Sequence, residues 1–327
     1  REMTRADMDE VVADYSRATE YAEAAGFDLL ELHMAHGYLL AAFISPLTNQ
    51  RSDEWGGSYE NRIRFPLEVI RKMRATVGEE FIIMFRLSML DLVEEASDME
   101  EVIHLAKELE KAGVTIINTG IGWHEARVPT IVTSVPRAAF ADVTAKVKAQ
   151  VNIPVVASNR INMPETAEDI IANGKADMVS MARPLLADPY WVKKVEEDRA
   201  DEINTCIACN QACLDHTFEN KRASCLVNPR ACNETKLVYI PVKQAKKVAV
   251  VGAGPAGLAC AVTAAERGHA VTLFEGRGEI GGQFNYASKI PGKEEFKETI
   301  RYFTTMIKKY NIDLKLNHIV TAGELKA

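Results

Sequence analysis

The sequence predicts an α/β protein, on three observations. Short apolar runs alternate five times with helix-length stretches between Phe27 and Met181. Polar residues gather just after those runs. Farther on, a G-x-G-x-x-G pattern, Gly252 to Gly257, stands between an apolar run and an Ala-rich stretch. Repeated strand–helix units with nearly continuous apolar strands imply a parallel sheet covered by helices.

The first helix is expected from about Asp7 to Ala25, with Tyr15, Ala18, Tyr21 and Ala22 on one face and Gly26 as its stop. The run Phe27–His33 then reads as a buried strand. Further strands are expected at Phe81–Arg86, Val114–Asn118, Pro154–Ala157 and Ala176–Met181. Helices are expected at Glu60–Val77, Asp98–Ala112, Arg137–Gln150 and Pro164–Ala172, several closed by breakers such as Gly113 and Gly174. His104 falls within one of these helices and reads as a surface residue.

His33, His36 and Tyr38 follow the first strand, and Arg86 ends the second. His124 follows the third, Asn159 and Arg160 the fourth, and Arg183 the fifth. A (βα)8 barrel and an open doubly wound sheet both place chemistry at the carboxyl ends of their strands. The pattern therefore predicts a site on that face and leaves the two folds open. A barrel would need three more βα units than the five visible here.

Cys206, Cys209 and Cys213, followed by Cys225, give C-x2-C-x3-C-x11-C. Four thiols so spaced can converge on one inorganic centre, either a structural zinc or a 4Fe–4S cluster. The uneven spacing suits the cubane, whose corners need thiolates in unequal directions. Cys232 and Cys260 fall outside the pattern, and Cys260 reads as a small buried residue on a helix.

The last region opens with the strand Val248–Val251, the glycines Gly252, Gly254 and Gly257, and the helix Leu258–Arg267. A second strand, Ala270–Phe274, ends on Glu275, 18 residues beyond Gly257. In that context the glycines let backbone approach a pyrophosphate at a helix N-terminus, and Glu275 can accept from ribose hydroxyls. Gly282 and Gln283 offer a second tight backbone approach. About 80 residues of this region are present, fewer than a full dinucleotide-binding domain, so further sequence is expected on both sides of the chain.

The chain has 327 residues and a formal net charge of -7, with 47% hydrophobic residues. The acidic balance argues against nucleic acid as a partner, because phosphate neutralisation needs a basic face. No apolar run reaches the roughly 20 residues that span a bilayer. No secretory signal is recognisable, and six cysteines are too few for a disulfide scaffold, so a cytoplasmic protein is expected.

Several stretches together carry a family resemblance. They are Gly37-Tyr38-Leu39, Asn49-Gln-Arg-Ser-Asp-Glu-Trp-Gly-Gly57 and Ile117-Asn-Thr-Gly-Ile-Gly-Trp-His-Glu-Ala-Arg-Val-Pro-Thr130. Ser180-Met-Ala-Arg-Pro184, Cys206–Cys213 and Ser224-Cys-Leu-Val-Asn-Pro229 complete the set. In this order they resemble the bacterial iron–sulfur flavoenzyme 2,4-dienoyl-CoA reductases, within the old yellow enzyme-like NADH:flavin oxidoreductase group. The stretch Ile44-Ser45-Pro46-Leu47 is more similar to the ene-reductase relatives.

The resemblance implies a partial (βα)8 TIM barrel binding FMN over residues 1–200. A 4Fe–4S segment and linker then cover 201–244, and the start of a Rossmann-like FAD-binding domain covers 245–327. The NADPH domain of the family lies outside the chain. By the same resemblance, Tyr38 is the proton donor and His124 its partner near the thioester. His124, Glu125, Ala126 and Arg127 would line the acyl-CoA site. Arg86 would face the flavin pyrimidine, and Arg160, Ala182 and Arg183 would hold the FMN phosphate. Cys206, Cys209, Cys213 and Cys225 would bind the cluster. The implied reaction is NADPH-dependent reduction of 2,4-dienoyl-CoA in β-oxidation of unsaturated fatty acids, with electrons passing from FAD to 4Fe–4S to FMN. The alternatives are another iron–sulfur ene-reductase acting on enoates or enones, or a piece that binds cofactors without turning over.

Overall fold

The computed structural model describes residues 2–326. The chain forms two compact units, one comprising residues up to Thr130 with Arg137–Ile161 and Glu165–Ser180. The other comprises Ile131–Pro136, Asn162–Pro164 and the residues from Met181 on.

In the first unit the elements run α1 (Arg5–Ala24), β1 (Leu29–Met34), α2 (Leu39–Ile44), α3 (Tyr59–Arg62), α4 (Arg64–Val77), β2 (Ile82–Leu90) and α5 (Met99–Lys111). They continue with β3 (Ile116–Ile121), α6 (Ala141–Lys148), β4 (Val155–Ala157), α7 (Pro164–Ala172) and β5 (Met178–Val179). Thr4 starts α1 with a capping box: its side chain accepts from the Asp7 N–H, and the Asp7 carboxylate accepts from the Thr4 N–H at 2.7 Å. Asp98 caps α5 by accepting from the Glu101 N–H at 2.9 Å.

The five strands are parallel and lie in the order β1-β2-β3-β4-β5. Right-handed crossovers that always step in one direction put every helix on the same face. This is a singly wound sheet, and a doubly wound one would reverse direction. Burial along β2 shows the result. Ile83, Phe85, Leu87 and Met89 are buried, while Ile82, Met84, Arg86, Ser88 and Leu90 are only half-buried on the opposite face. The expectation of helices over the whole sheet is thus corrected for β2, which alternates. In β1, too, Leu32 and Met34 are buried while Glu31 is exposed.

β2 also runs on to Leu90, so Arg86 lies within the strand rather than at its end. The alternation Leu87, Ser88, Met89 continues the period-2 pattern past the arginine. The expected helix over 60–77 is two helices that meet at Ile63. The core joins Met8 and Val12 of α1 to Phe65, Ile70 and Met73 of α4 and to the buried face of the sheet.

The second unit begins with α8 (Arg183–Ala187) and α9 (Trp191–Glu196), then a π-helical turn at Gln211–Asp215 and α10 (His216–Phe218). It continues with β6 (Lys247–Val251), α11 (Pro255–Glu266), β7 (Ala270–Phe274), α12 (Phe284–Ala287), α13 (Lys297–Lys309) and β8 (Asp313–Lys315). Strands β6, β7 and β8 form a parallel sheet in that order. Leu258, Ala261 and Val262 of α11 and Phe303, Met306 and Ile307 of α13 pack in one core with Val271 and Leu273 of β7.

Candidate active site and cofactor-binding features

The half-buried face of the first sheet carries a polar layer. His33, Arg86 and Asn118 are in register across β1, β2 and β3. Asn118 Nδ2 donates to Glu31 Oε1 at 2.9 Å, and the Ser180 hydroxyl donates to Asn118 Oδ1 at 3.3 Å. Arg86 Nε is buried with no hydrogen-bond partner among the described residues. A buried guanidinium N–H left unpaired in a folded chain is costly, so it marks a position where an acceptor belongs.

At the carboxyl ends of the strands the chain turns sharply after β1. His36 and Gly37 both take positive φ, 62° and 84°. Tyr38 then starts α2 with its backbone, accepting from the Ala42 N–H at 2.8 Å, which leaves its side chain free to project. The Tyr38 hydroxyl lies 3.1 Å from His124 Nε2, and the two rings meet edge to face. Tyr38 is 51% exposed, so the phenol is open to an incoming molecule. His33 stands with its ring 5.1 Å from that of Tyr38, and His36 with its ring 5.7 Å from that of His124. Burial, with Arg86 adding to it, pushes the His33 imidazole below its ordinary range. Burial does the same to His36, against a hydrogen bond between its Nδ1 and the Gly122 carbonyl.

Of the loop after His124, Glu125 and Arg127 are exposed, and the Ala126 N–H donates to the Trp123 carbonyl at 3.1 Å. Arg160 is buried, in the first unit, with φ 59°. Ala182 and Arg183 belong to the second unit, where Arg183 donates to the Ile131 carbonyl at 2.9 Å and to Asn210.

Arg183 lines a small cavity together with Cys206, Cys209, Cys213 and Cys225. All four thiols are free. Asn162 Nδ2 holds the Cys206 carbonyl at 2.9 Å, and the Ser224 N–H reaches the Ala212 carbonyl at 2.7 Å, so the fourth cysteine is drawn back to the other three. Burial pushes the Cys206 and Cys209 thiols up, and the Cys225 thiol up to about 11. Among the described residues no three His, Cys, Asp or Glu side chains stand as a ready-made metal-ligand set. Four thiols on one cavity are a donor set of the kind that can hold a zinc ion or an iron–sulfur cluster. Cys232 and Cys260 are exposed, which corrects the reading of Cys260 as buried: it sits on the outer side of α11.

In the glycine turn a Cβ built on Gly252 or Gly254 meets nothing within 4 Å, so both face open space. One on Gly257 would lie 1.9 Å from the Gly252 carbonyl oxygen, so the third glycine is needed for packing. Glu275 Oε2 accepts from the Ala253 N–H at 2.8 Å, which ties the residue after β7 to the turn. The Gly281 N–H donates to the Ala253 carbonyl at 2.7 Å, and Gly282 packs on Gly254. Gln283 is exposed at the start of α12.

The model of the NADH:flavin oxidoreductase / NADH oxidase family matches residues 1–202. The chain belongs to this family. Residues 250–315 match an NAD(P)-binding Rossmann-like domain. The NADH oxidase of Thermoanaerobacter brockii is 45% identical over 91% of this chain and 46% of its own length. The metal reductase of Desulforamulus reducens is 40% identical over 96% of the chain and 47% of its own length. Among solved structures, a 2-naphthoyl-CoA reductase in complex with 2-naphthoyl-CoA superposes with a TM-score of 0.97 at 39% identity, covering 100% of this chain and 50% of that one. The chain thus spans about half the length of the curated relatives it matches.

Sequence reasoning missed Asp91, and it gave Trp123 only as part of a motif and not as a site residue. Trp123 Nε1 donates to Asp91 Oδ1 at 2.7 Å beside His124. Ending β2 at Arg86 hid Asp91, which follows the true strand end directly. The stretch 49–57 proves to be a loop held by bonds within itself and to Phe43 and Met3. Asn49 Nδ2 donates to the Phe43 carbonyl at 2.6 Å and to that of Trp55 at 2.8 Å.

Proposed function

We propose that this chain carries the substrate end of an NADPH-dependent 2,4-dienoyl-CoA reductase acting in β-oxidation of unsaturated fatty acids. On this reading the first sheet is an arc of an FMN-binding (βα)8 barrel. The cysteine segment binds 4Fe–4S, and the second sheet begins an FAD-binding domain. The orphaned Arg86 Nε fits the edge of a flavin ring, the four thiols fit a cluster, and the open faces of Gly252 and Gly254 fit a pyrophosphate. The likeness to the 2-naphthoyl-CoA reductase supports a CoA thioester as substrate.

FMN, when bound, would supply hydride-transfer chemistry, with NADPH, FAD and a cluster as its source of electrons on this reading. The chain's own residues handle the proton. The observation that carries the reading is the 3.1 Å approach of the Tyr38 hydroxyl to His124 Nε2 at the strand ends. A phenol is protonated at neutral pH and serves as a general acid. Tyr38 delivers that proton to carbon, His124 steadies the phenol, and solvent, to which both side chains are open, replaces the proton on Tyr38. Arg86 holds positive charge at the layer below, where it favours an anionic ring edge.

A second reading is an iron–sulfur ene-reductase acting on enoates or enones. The exposed Leu47 beyond α2 favours it, because an apolar side chain there gives a CoA ester no cation to hold.

The test is NADPH oxidation by the complete parent protein, prepared without oxygen, with a 2,4-dienoyl-CoA and with a cyclic enone. Turnover of the CoA ester is expected to dominate and to fall about 10²- to 10⁴-fold in Tyr38→Phe. Equal or faster turnover of the enone would replace the first reading with the second. Unchanged turnover in Tyr38→Phe would remove Tyr38 as the proton donor.

A further inference from the structure

The loop that carries His124 is tied to the end of β2. The Gly122 N–H donates to the Leu90 carbonyl at 2.7 Å, and the Trp123 N–H to the Asp91 carbonyl at 2.9 Å. The indole Nε1–H donates to Asp91 Oδ1 at 2.7 Å, and the Ser88 hydroxyl donates to the same oxygen. Asp91 is 8% exposed and Trp123 7%, so this bond is shielded from water and has no solvent substitute. β2 reaches this point through a register shift between Ser88 and Leu90, an irregularity of the kind that re-aims a strand end.

The other side of the indole faces the Tyr38 loop. A Cβ on Gly37 would lie 3.0 Å from Trp123 Cε3 and 3.2 Å from Cδ2, so the backbone just before Tyr38 rests on the ring. Trp123 immediately precedes His124 in the chain. One buried side chain therefore rests against the residue before Tyr38 and belongs to the residue before His124.

We propose that Trp123, anchored by Asp91, is a positioning residue that sets the distance between the Tyr38 hydroxyl and the His124 imidazole. It thereby sets the rate of proton delivery. The inference rests on the reading of Tyr38 as the proton donor. Misplacement by 1 Å costs a positioned reaction about 10²-fold. Trp123→Phe keeps a ring against Gly37 but gives up the bond to Asp91. Asp91→Ala removes the anchor from the other side. Asp91→Asn keeps an acceptor oxygen in place.

The experiment uses the full-length, cofactor-loaded protein in anaerobic stopped flow. It separates flavin reduction by NADPH from flavin re-oxidation by 2,4-decadienoyl-CoA, each in H2O and D2O. Trp123→Phe and Asp91→Ala are expected to slow re-oxidation about 10- to 100-fold and to raise its solvent isotope effect. Reduction by NADPH and flavin content stay at the parent level, and Asp91→Asn restores most of the rate. A merely structural role would slow both half-reactions together, or lower flavin content in Asp91→Ala, and either result overturns the inference. So does re-oxidation at the parent rate in Trp123→Phe while Tyr38→Phe is slow. If Tyr38→Phe itself re-oxidises normally, the proton-donor reading has failed first, and the inference falls with it. Where Trp123→Phe does not yield flavin-loaded protein, Asp91→Ala decides on the same readout.

Discussion

Alanine at Gly257 and at Gly254 should have opposite consequences, although the two glycines stand three residues apart in one motif. A Cβ on Gly257 would lie 1.9 Å from the Gly252 carbonyl oxygen, with the carbonyl carbon at 3.1 Å. Ordinary contact begins near 3.4 Å, so the start of α11 would have to retreat by about 1.5 Å. The obstacle is backbone, held by the Gly252 N–H to the Phe274 carbonyl at 2.8 Å, and it cannot swing aside like a flexible side chain. A retreat of α11 drags Leu258 and Ala261, both almost fully buried, out of register with the core. Overpacking of this kind costs about 1–3 kcal/mol. For a region of this size each kcal/mol lowers the unfolding temperature by about 4–8 °C. Gly254 differs in having φ -75°, which any residue adopts, and nothing within 4 Å of its Cβ position. Alanine there should change stability by less than about 0.5 kcal/mol, as at other open positions. On the proposed FAD reading, its methyl would occupy the space that the pyrophosphate needs. The assay is thermal unfolding of each full-length variant together with FAD released on denaturation. The expected pattern is a destabilised Gly257→Ala, and a Gly254→Ala of parental stability with depleted FAD. Equal loss of stability in the two variants, or full FAD in Gly254→Ala, would refute the reasoning.

The histidines near Tyr38 give a pH dependence. Burial holds His33 and His36 below the ordinary imidazole range, so the unfolded chain binds protons that the folded chain refuses. Stability should therefore rise as pH climbs through about 6.5 and be lost as pH falls below it. Urea midpoints between about pH 5 and 7.5 check this, and a profile unchanged in the His33→Gln, His36→Gln double variant would show that other groups carry it. If the cysteine cavity holds the proposed 4Fe–4S cluster, serine at Cys206, Cys209, Cys213 or Cys225 should lower iron from about four per chain and bleach the broad brown absorbance. Serine at the exposed Cys232 or Cys260 should leave both unchanged, and iron loss on Cys232→Ser would mean that the ligand set is wrongly drawn.

The sequence by itself determined the βα repeat, most element positions and the parallel sheet, because period and breakers are local properties. Helix 164–172 matches residue for residue, since Pro164 starts it and Gly174 stops the chain just beyond it. The glycine turn was equally legible, as strand, glycines, helix and acid are spaced along the chain. Only the tertiary structure decided that the first sheet is singly wound, because strand order depends on which strands pair and not on any local pattern. The length of β2 was likewise hidden. Arg86 looks like the end of the strand until the sheet's second face proves to be half-open, with Arg86 and Ser88 among its residues. The Tyr38–His124 contact, 86 residues apart in sequence, and the Asp91–Trp123 anchor beside it exist only once β1, β2 and β3 lie side by side. Residue types announced which side chains can do chemistry, and the pairing of strands determined which of them meet.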